Sequence, residues 1–230
     1  MLFIENSYLK EFNAIIIDIN LNQIILDQTA FYAKSGGQPG DIGQLTMNRN
    51  TINIIDTIKD YENNIIHISD NNINFEIGDK ILGAINWEKR YKHMRMHSAL
   101  HLLCSVIPLN VTGGQIGYDK SRLDFNAQDY KIEKEEVEYK INSLVKEDHE
   151  ITYQWITIDE LEQQPELVKT MSVQPPKIQG KIRLVKIGNI DLQPCGGTHV
   201  KTTAEIGEIK IGKIENKGKM NRRVNLLIND

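Results

Sequence analysis

Two short segments of this chain place metal-binding side chains four residues apart. His97 and His101 enclose Ser-Ala-Leu, and Cys195 and His199 enclose Gly-Gly-Thr. Positions i and i+4 of a helix lie on one face, so the first two imidazoles can bind one ion. The thiolate and imidazole of the second segment, which suits a tight loop, would complete a His3Cys set that zinc accepts. Because only a folded chain can unite the segments, the sequence predicts a fold-dependent zinc site rather than a local zinc finger.

The scarcity of these residue types favours the metal interpretation. Taken alone, a histidine pair at helical spacing is more often part of a core or a surface. The chain has six histidines and two cysteines, and three of the histidines and one cysteine fall in the two segments. Two cysteines do not make a disulfide framework, so the sequence predicts a reducing, cytoplasmic setting.

The elements that position these residues differ along the chain. Residues 1–88 contain short β-branched runs separated by turn residues, which predict a small β-barrel. The predicted strands cover 14–19, 23–27, 51–55, 64–68 and 78–85. Over 89–230 helices and strands mix without strict alternation, which predicts an α+β domain. The expected fold class is α+β, with a small N-terminal β-barrel domain followed by an α+β domain that carries the zinc site.

The second domain is expected to hold the histidine pair on a helix and the cysteine segment between strands. Apolar periodicity and Pro108 predict a helix over 90–107. Further helices are predicted over 133–145 and over 159–171, the last broken or bent near Pro165, and strands over 150–156, 181–187 and 208–211.

Composition limits the classes of partner. With 40% hydrophobic and 25% charged residues, the 230-residue chain is typical of globular proteins. A formal net charge of −4 excludes an overall basic surface, so nucleic-acid contacts must come from local patches. No run approaches the roughly 20 apolar residues that span a bilayer, and the N-terminus lacks a signal-peptide pattern. The sequence predicts no membrane and no DNA partner, and it does not predict an oligomeric state.

A third motif, DQTAFYAKSGGQPGD, occupies residues 27–41. Gly36, Gly37 and Gly40 permit close approach of the backbone to a ligand, and Thr29 and Gln38 offer hydrogen-bonding groups. Alone, such a segment is more often a turn, and no P-loop lysine and serine follow it.

Taken in order, three motifs resemble one family. DQTAFYAKSGGQPGD, WEKRYKHMRMHSALHLL and QPCGGTHV are similar to the signature series of the alanyl-tRNA synthetase editing domain and its free-standing relatives, the AlaX trans-editing proteins. The resemblance covers about residues 14–224 and leaves no room for an aminoacylation domain, so the chain resembles the free-standing, medium-length form. Two departures are Lys34, where the family usually has Glu, and Ser98, where Thr is common.

The resemblance implies a deacylase that hydrolyses the ester of serine, with glycine as a further candidate, on tRNA for alanine. A synthetase pocket built for alanine rejects neither serine nor glycine strongly, so a second, hydrolytic site is needed. The family match implies Thr29 as the sensor of the serine hydroxyl, with Gln38 beside the ester and Gly36 and Gly37 in the substrate-binding loop. With Cys195, Thr29 and Gln38 form the implied catalytic set.

Two uses of one zinc ion per chain remain open. Three ligands would leave a position for an activated water, whereas four would close the site around an ion that organises the pocket and the tRNA end. Four candidate ligands favour the closed site, with Cys195 the most movable of them and with water oriented by Gln38. Asp41 and Asp124 are weak candidates for a general base.

Two basic groups are expected to contact tRNA phosphates without reading sequence. They are Lys89, Arg90, Lys92 and Arg95 near the histidine helix, and Lys217, Lys219, Arg222 and Arg223 near the C-terminus. Solvated surface is the simpler alternative for both groups.

Two other functions fit part of this pattern. A metalloprotease is disfavoured because residues 97–101 lack the glutamate of the H-E-x-x-H motif. A non-catalytic, zinc-stabilised tRNA-binding module remains the alternative.

Overall fold

A computed structural model describes residues 1–128, 130–171, 175, 177–178 and 180–229 of the chain. These residues divide into two units, Met1–Lys92 and His93–Asp230. The division falls inside a helix, whereas the sequence predicts a boundary after residue 88.

The N-terminal unit is a closed barrel of six antiparallel strands that follows a short helix, α1. The strands neighbour one another in the order β1-β2-β5-β4-β3-β6. The elements are α1 (Leu2–Glu5), β1 (Glu11–Asn20), β2 (Gln23–Leu26), β3 (Gly43–Met47), β4 (Asn50–Lys59), β5 (Ile65–Ser69) and β6 (Lys80–Ile85). Alternate residues point inward, as Phe12, Ala14 and Ile16 of β1 do, and they form one apolar core.

The predicted barrel is confirmed, and one of its strands was not anticipated. Strand β3 contains Gly43, Gln44 and Thr46 and lacks a β-branched run, so it has little strand pattern of its own. Its pairing with β4 and β6 closes the barrel. A side chain at Gly43 would clash with the Ala84 carbonyl oxygen, so the close approach of β6 requires glycine there.

The C-terminal unit is α+β, as predicted, and contains two four-stranded sheets. Strand β11 pairs with β9, β10 and β12 in one sheet, and the other has the order β13-β14-β8-β7. The elements are α2 (Trp87–Val106), which contains the division, β7 (Val111–Gln115), β8 (Ser121–Asn126), α3 (Lys134–Lys146), β9 (Ile151–Ile156), α4 (Ile158–Glu162), β10 (Lys177–Ile178), β11 (Lys181–Ile187), β12 (Asp191–Pro194), β13 (Glu208–Asn216) and β14 (Asn221–Asn229). Short 3₁₀ helices cover Pro165–Leu167 and Thr203–Ile206.

The helix predicted over 159–171 breaks before Pro165, in agreement with the expected break or bend there, but the prediction is wrong for residues 168–171, which are not helical. Thr157 and Glu160 form a capping box that starts α4, and the helix ends at Glu162. Pro165 then begins a 3₁₀ turn, because proline lacks the backbone N–H that would continue an α-helix. The apolar pattern of this segment therefore continues beyond the residue at which the helix ends.

The basic segment near the C-terminus is a hairpin rather than an irregular tail. Strands β13 and β14 pair from Glu208 with Asn229 to Asn216 with Arg222. Gly218, with φ of +84°, lies in the turn between them. Lys217 and Lys219 therefore lie at the hairpin turn, and Arg222 and Arg223 lie on a strand.

Candidate metal centre

Helix α2 carries His97 and His101 on one buried stretch. The Asn86 side chain accepts a hydrogen bond from the Lys89 backbone N–H and caps the start of the helix. Met94 and the residues from Met96 to Leu103 are buried, so this part of the helix belongs to the core. His97 is 8% and His101 5% exposed, which places both imidazoles away from bulk water.

Strand β12 leads directly into the cysteine segment. It pairs with β11 from Leu184 with Pro194 to Ile187 with Asp191. Residues 195–200 have no regular secondary structure, which agrees with the loop expected from the two glycines. The strand therefore fixes where this loop begins.

The fold brings all four predicted ligands together. One ligand atom each from His97, His101, Cys195 and His199 lies within 4.8 Å of the others. The Cys195 Sγ atom is 3.4 Å from His97 Nε2 and 3.3 Å from His199 Nε2. One thiolate and three imidazoles facing a common point form a donor set for a transition-metal ion.

His101 is oriented by a buried carboxylate. Its Nδ1 atom lies 2.9 Å from Asp191 Oδ2, so an Nδ1–H donated to Asp191 leaves Nε2 free for a metal. Asp191 in turn accepts from Lys169 Nζ at 2.6 Å and from Gln193 Nε2 at 2.7 Å. This arrangement of carboxylate behind histidine is a common support of metal ligands.

His199 has a separate support on the histidine helix. Its Nδ1 atom is 3.2 Å from Ser98 Oγ, and that oxygen also accepts from the Val200 backbone N–H at 3.3 Å. Ser98 is fully buried. The serine that stands where the family usually has threonine thus retains the hydroxyl that contacts a proposed ligand.

Arg183 holds the cysteine loop by its backbone. Its Nε donates to the Cys195 carbonyl at 2.9 Å, and its Nη2 donates to the Gly197 carbonyl. The guanidinium also lies over the Tyr153 ring, 4.6 Å from its centroid. The buried arginine therefore links β11 and β9 to the loop that carries Cys195.

The local electrostatics favour the metal-binding form of two ligands. Burial raises the pKa of the Cys195 thiol, but the neighbouring imidazoles, first His97 and His199, lower it well below its usual value. The thiolate is the form that binds metals. Burial is the main cause that lowers the pKa of His199 well below its usual value, which favours the neutral imidazole that a metal needs.

His101 behaves differently from His199. Burial lowers its pKa, but the hydrogen bond to Asp191 and the thiolate of Cys195 outweigh burial and raise the pKa to about 9. A metal ion at Nε2 would have to displace a proton there, so metal binding at this histidine is coupled to pH.

In the N-terminal unit the glycine motif forms a tight hairpin. Ser35 and Gln38 exchange backbone hydrogen bonds of 3.1 and 2.9 Å. Gly36 and Gly37, with φ of +55° and +83°, form the exposed tip, as in a type I′ turn. Gln38 itself is fully buried.

Thr29 is buried rather than exposed at the surface. Its side chain contacts the buried His67 and the backbone of Phe31. Its predicted role as a sensor remains a prediction, and its partner His67 was not singled out from the sequence.

Both carboxylates considered as a general base are engaged by arginines. Asp41 is bound by the buried Arg90. Asp124 is paired with Arg122 at 2.6 Å and Arg223 at 2.7 Å. Burial raises the pKa of Asp124, but these arginines lower it below the usual value, which weakens its basicity.

The prediction that Arg90 contacts RNA is wrong, because its side chain is fully buried. The guanidinium donates to Asp41, to the Ser7 carbonyl at 3.0 Å and to the Ala30 carbonyl at 2.6 Å. Its donors are committed inside the N-terminal unit.

The other predicted RNA contacts differ in their exposure. Lys217 and Lys219 are exposed, whereas the side chains of Lys89, Lys92, Arg95, Arg222 and Arg223 are partly buried. Arg95 donates to the Ile206 carbonyl at 2.8 Å, and Arg223 is bound to Asp124. The two lysines of the β13–β14 turn are therefore the most accessible members of the set.

Four residues that support the cluster were not predicted from the sequence. Two of them, Asp191 and Gln193, alternate with Cys195 along β12 and its extension, and both are buried. Alternating polar residues immediately before a predicted ligand could have indicated these two. The other two, Lys169 and Arg183, come from distant segments, and no sequence pattern indicates them.

Two family profiles match the chain. Residues 3–89 match the profile described as tRNA synthetases class II (A). Residues 182–225 match the Threonyl and Alanyl tRNA synthetase second additional domain. One match lies over the barrel unit and the other in the unit that carries the histidine–cysteine cluster. The chain therefore belongs to the class of proteins built from synthetase-related domains.

Relatives that match along nearly their whole length specify the family. The alanyl-tRNA editing protein AlaX-M of Methanosarcina acetivorans is 36% identical over 97% of this chain and 96% of its own length. The AlaX-M protein of Saccharolobus solfataricus is also 36% identical, with the same coverage. The alanine–tRNA ligase of Pyrococcus abyssi is 35% identical over 93% of this chain but over only 24% of its own length. The chain belongs to the family of AlaX-M alanyl-tRNA editing proteins, which confirms the resemblance seen in the motifs.

No helix in the described part of the chain is both long and apolar enough to cross a membrane.

Proposed function

We propose that this protein hydrolyses the ester that joins serine to tRNA for alanine. The observation that carries the proposal is the cluster of three histidines and Cys195, with ligand atoms within 4.8 Å, in a chain that aligns with AlaX-M editing proteins over nearly its whole length. Glycine is a second candidate substrate, because an alanine-sized pocket excludes neither residue strongly.

The metal we propose is zinc, held by His97, His101, Cys195 and His199. The donor set fits, since zinc accepts nitrogen and sulfur ligands and commonly has four in structural sites. The buried Asp191 behind His101 supplies the support that such ligands usually have. When bound, zinc would supply a fixed positive charge that organises the pocket and the 3′ end of the tRNA.

Residues of the barrel unit are proposed to recognise the amino acid and to orient the water. Thr29 would bond the hydroxyl of a seryl group, and Gln38 with nearby backbone groups would hold the water that attacks the ester. Gly36 and Gly37 would form the substrate-binding loop. An alanyl ester would leave the sensor unpaired, at a cost of about 1–3 kcal/mol, so the correctly charged tRNA would be spared.

The tRNA would be bound through phosphate contacts by the basic residues that are not buried. Lys217 and Lys219 of the β13–β14 turn are the strongest candidates because they are exposed. Lys89, Lys92, Arg95, Arg222 and Arg223 are weaker candidates because they are partly buried. Removing one true phosphate contact should flatten the salt dependence of binding by about one unit of slope.

A deacylation assay tests the proposal directly. Seryl-, glycyl- and alanyl-tRNA for alanine would be incubated with the protein, with and without a zinc chelator. We expect release of serine, preservation of alanyl-tRNA, and loss of activity after chelation. Hydrolysis of no ester, with tRNA binding retained, would instead favour the non-catalytic, zinc-stabilised tRNA-binding module.

A pair of cysteine variants separates the proposed ligand from a general effect of cysteine loss. Cys195→Ala should lower both bound zinc and seryl-tRNA hydrolysis by about tenfold or more, because it removes a ligand rather than a supporting contact. Cys104→Ala, on helix α2, removes the chain's other cysteine, whose thiol contacts the supporting Gln193 but is not a proposed ligand, and should lower both much less than Cys195→Ala does. Normal zinc content and normal hydrolysis in Cys195→Ala would show that Cys195 is not a ligand.

A further inference from the structure

His67 is a buried histidine of strand β5 whose two ring nitrogens both have partners. Its Nδ1 atom is 3.0 Å from the Ile24 carbonyl oxygen, and its Nε2 atom is 2.8 Å from the hydroxyl oxygen of Thr29. The Phe31 ring packs edge-on against the imidazole, with centroids 5.2 Å apart and planes at 89°. These contacts fix the orientation of the ring inside the barrel unit.

The partners of His67 determine where its proton lies. A carbonyl oxygen only accepts, so Nδ1 must carry the hydrogen that is donated to Ile24. A neutral imidazole protonated at Nδ1 has a bare Nε2, which only accepts. The hydrogen between His67 and Thr29 must then belong to the threonine hydroxyl.

The neutral state of His67 follows from its surroundings. Burial lowers the pKa of the imidazole to about 4, against a smaller opposing effect of the Ile24 carbonyl. Its exposed fraction is zero, and no charged side chain is among the causes that shift its pKa. The ring is therefore neutral at physiological pH.

These contacts take up almost all of the hydrogen-bonding capacity of the Thr29 hydroxyl. A hydroxyl has one hydrogen to donate and two lone pairs that accept. The hydrogen goes to His67, and one lone pair accepts from the Phe31 backbone N–H at 3.0 Å. One lone pair remains, so Thr29 can accept a further hydrogen bond but cannot donate one.

We propose that His67 is a positioning residue that fixes the Thr29 hydroxyl as an acceptor and so makes it select substrates that bring a hydroxyl donor. The inference rests on the proposed function, in which Thr29 meets the seryl group. A freely rotating threonine could donate or accept, and it would also favour ordered water in place of the substrate hydroxyl. A fixed threonine offers one acceptor in one direction, which a seryl hydroxyl satisfies and an alanyl methyl does not.

The alternative is that the His67–Thr29 contact only ties strand β5 to residues 29–31. That role would stabilise the barrel without affecting which ester is hydrolysed. The two roles therefore differ in their effect on the ratio of seryl to alanyl hydrolysis rather than in their effect on total activity.

A measurement without substrate tests the proton assignment. Long-range ¹H–¹⁵N spectra of the full chain labelled with ¹⁵N-histidine, assigned by comparison with His67→Phe, report which ring nitrogen is protonated. We expect the Nδ1–H form of His67 at pH 7. An Nε2–H form or a charged ring would overturn the inference whatever the activity of the enzyme.

Kinetic variants test the effect on selectivity. His67→Phe removes both hydrogen bonds at similar volume, while His67→Gln keeps an amide oxygen that can accept from Thr29. The control is Ser69→Ala, which removes another buried hydroxyl two residues along the same strand, bonded to the Asn71 backbone N–H. Each variant is assayed on seryl- and alanyl-tRNA at a temperature where circular dichroism shows it folded.

In His67→Phe we expect the ratio of kcat/KM for seryl over alanyl ester to fall about tenfold, mainly through a higher KM for the seryl ester. His67→Gln should recover part of the ratio, and Ser69→Ala should keep it. An equal loss on both esters, or an unchanged ratio, in His67→Phe would overturn the inference while wild-type seryl hydrolysis still supports the proposed function. Absence of seryl hydrolysis by the wild-type chain would overturn both.

Discussion

At the scale of single residues, the metal cluster depends on a side chain that is not itself a proposed ligand. Asp191 binds His101, Lys169 and Gln193 at once. Its Oδ2 atom holds the imidazole in one orientation with Nε2 toward the cluster, while Oδ1 accepts from Lys169. Orientation of this kind is worth about 10–100-fold in metal affinity or activity at comparable sites.

Asp191→Asn should therefore lower zinc affinity by about 10–100-fold while keeping the fold. The amide retains the volume but loses the charge that attracts the His101 N–H and the Lys169 ammonium. Competition with a chromogenic chelator would measure the affinity.

A matched control for this variant is Asp124→Asn in the other sheet of the same unit. Asp124 also bonds two basic side chains, Arg122 and Arg223, and neither bond involves a residue of the cluster. It should lose a similar amount of ion pairing and keep zinc affinity. Equal zinc affinity in the two variants would contradict the role given to Asp191.

The candidate ligands could be predicted from the sequence, whereas the contacts of their supporting residues could not. Spacing within 97–101 and 195–199 is a local property, so the order of residues along the chain is enough to select all four. The contact of Asp191 with His101 depends on the register of β12 with β11, which no local pattern states. The contact of Thr29 with His67 likewise depends on which strands close the barrel.

At the scale of elements, the start of helix α2 is held by a buried ion pair. Arg90, in the first turns of the helix, bonds Asp41 with Nε at 2.9 Å from Oδ2. Asp41 also accepts from the Tyr32 backbone N–H at 2.7 Å. The sequence predicts that Arg90 is part of an RNA-binding patch, but its side chain is instead packed inside the N-terminal unit.

Arg90→Met should destabilise the protein by about 3–5 kcal/mol, because it leaves the buried Asp41 carboxylate without its partner. Urea unfolding followed by circular dichroism would measure the loss. Adding Asp41→Leu should recover much of it, since an apolar pair leaves no unpaired charge. The control is the neighbouring variant Lys89→Met, at a partly exposed lysine, which should change the free energy of unfolding by less than about 0.5 kcal/mol. A similar loss of stability in Arg90→Met and Lys89→Met would argue against the role of the ion pair.

Element types could be predicted where local patterns were strong. The β-branched runs gave five barrel strands, and apolar spacing with a following proline gave α2. Strands such as β3, β7, β12 and β14 were not predicted, because glycine, glutamine, asparagine or arginine interrupts their strand patterns. Pairing with neighbouring strands stabilises them instead. The helix predicted over 159–171 breaks near Pro165 as expected, but no helix resumes over 168–171, because the apolar pattern continues there without a helical backbone.

At the scale of the whole molecule, the four proposed ligands all belong to one of the two units. His97, His101, Cys195 and His199 lie in His93–Asp230, and the barrel unit supplies none of them. A metal that binds the folded state alone stabilises the part of the protein whose unfolding breaks the site. The two units should therefore respond differently when zinc is removed.

Chelation should weaken the C-terminal unit selectively. At free zinc about 100-fold above its dissociation constant, binding contributes about 2.7 kcal/mol, which removal would abolish. Hydrogen exchange followed by mass spectrometry should show faster exchange in α2 after His93, in β12 and in residues 195–200, with little change in the strands of the barrel. Cys195→Ala should show fast exchange in these segments with or without chelator, because it lacks a ligand, whereas Cys104→Ala should respond like the wild type. Equal acceleration in both units, or none in the segments that carry the histidines and Cys195, would show that the cluster does not hold a stabilising metal.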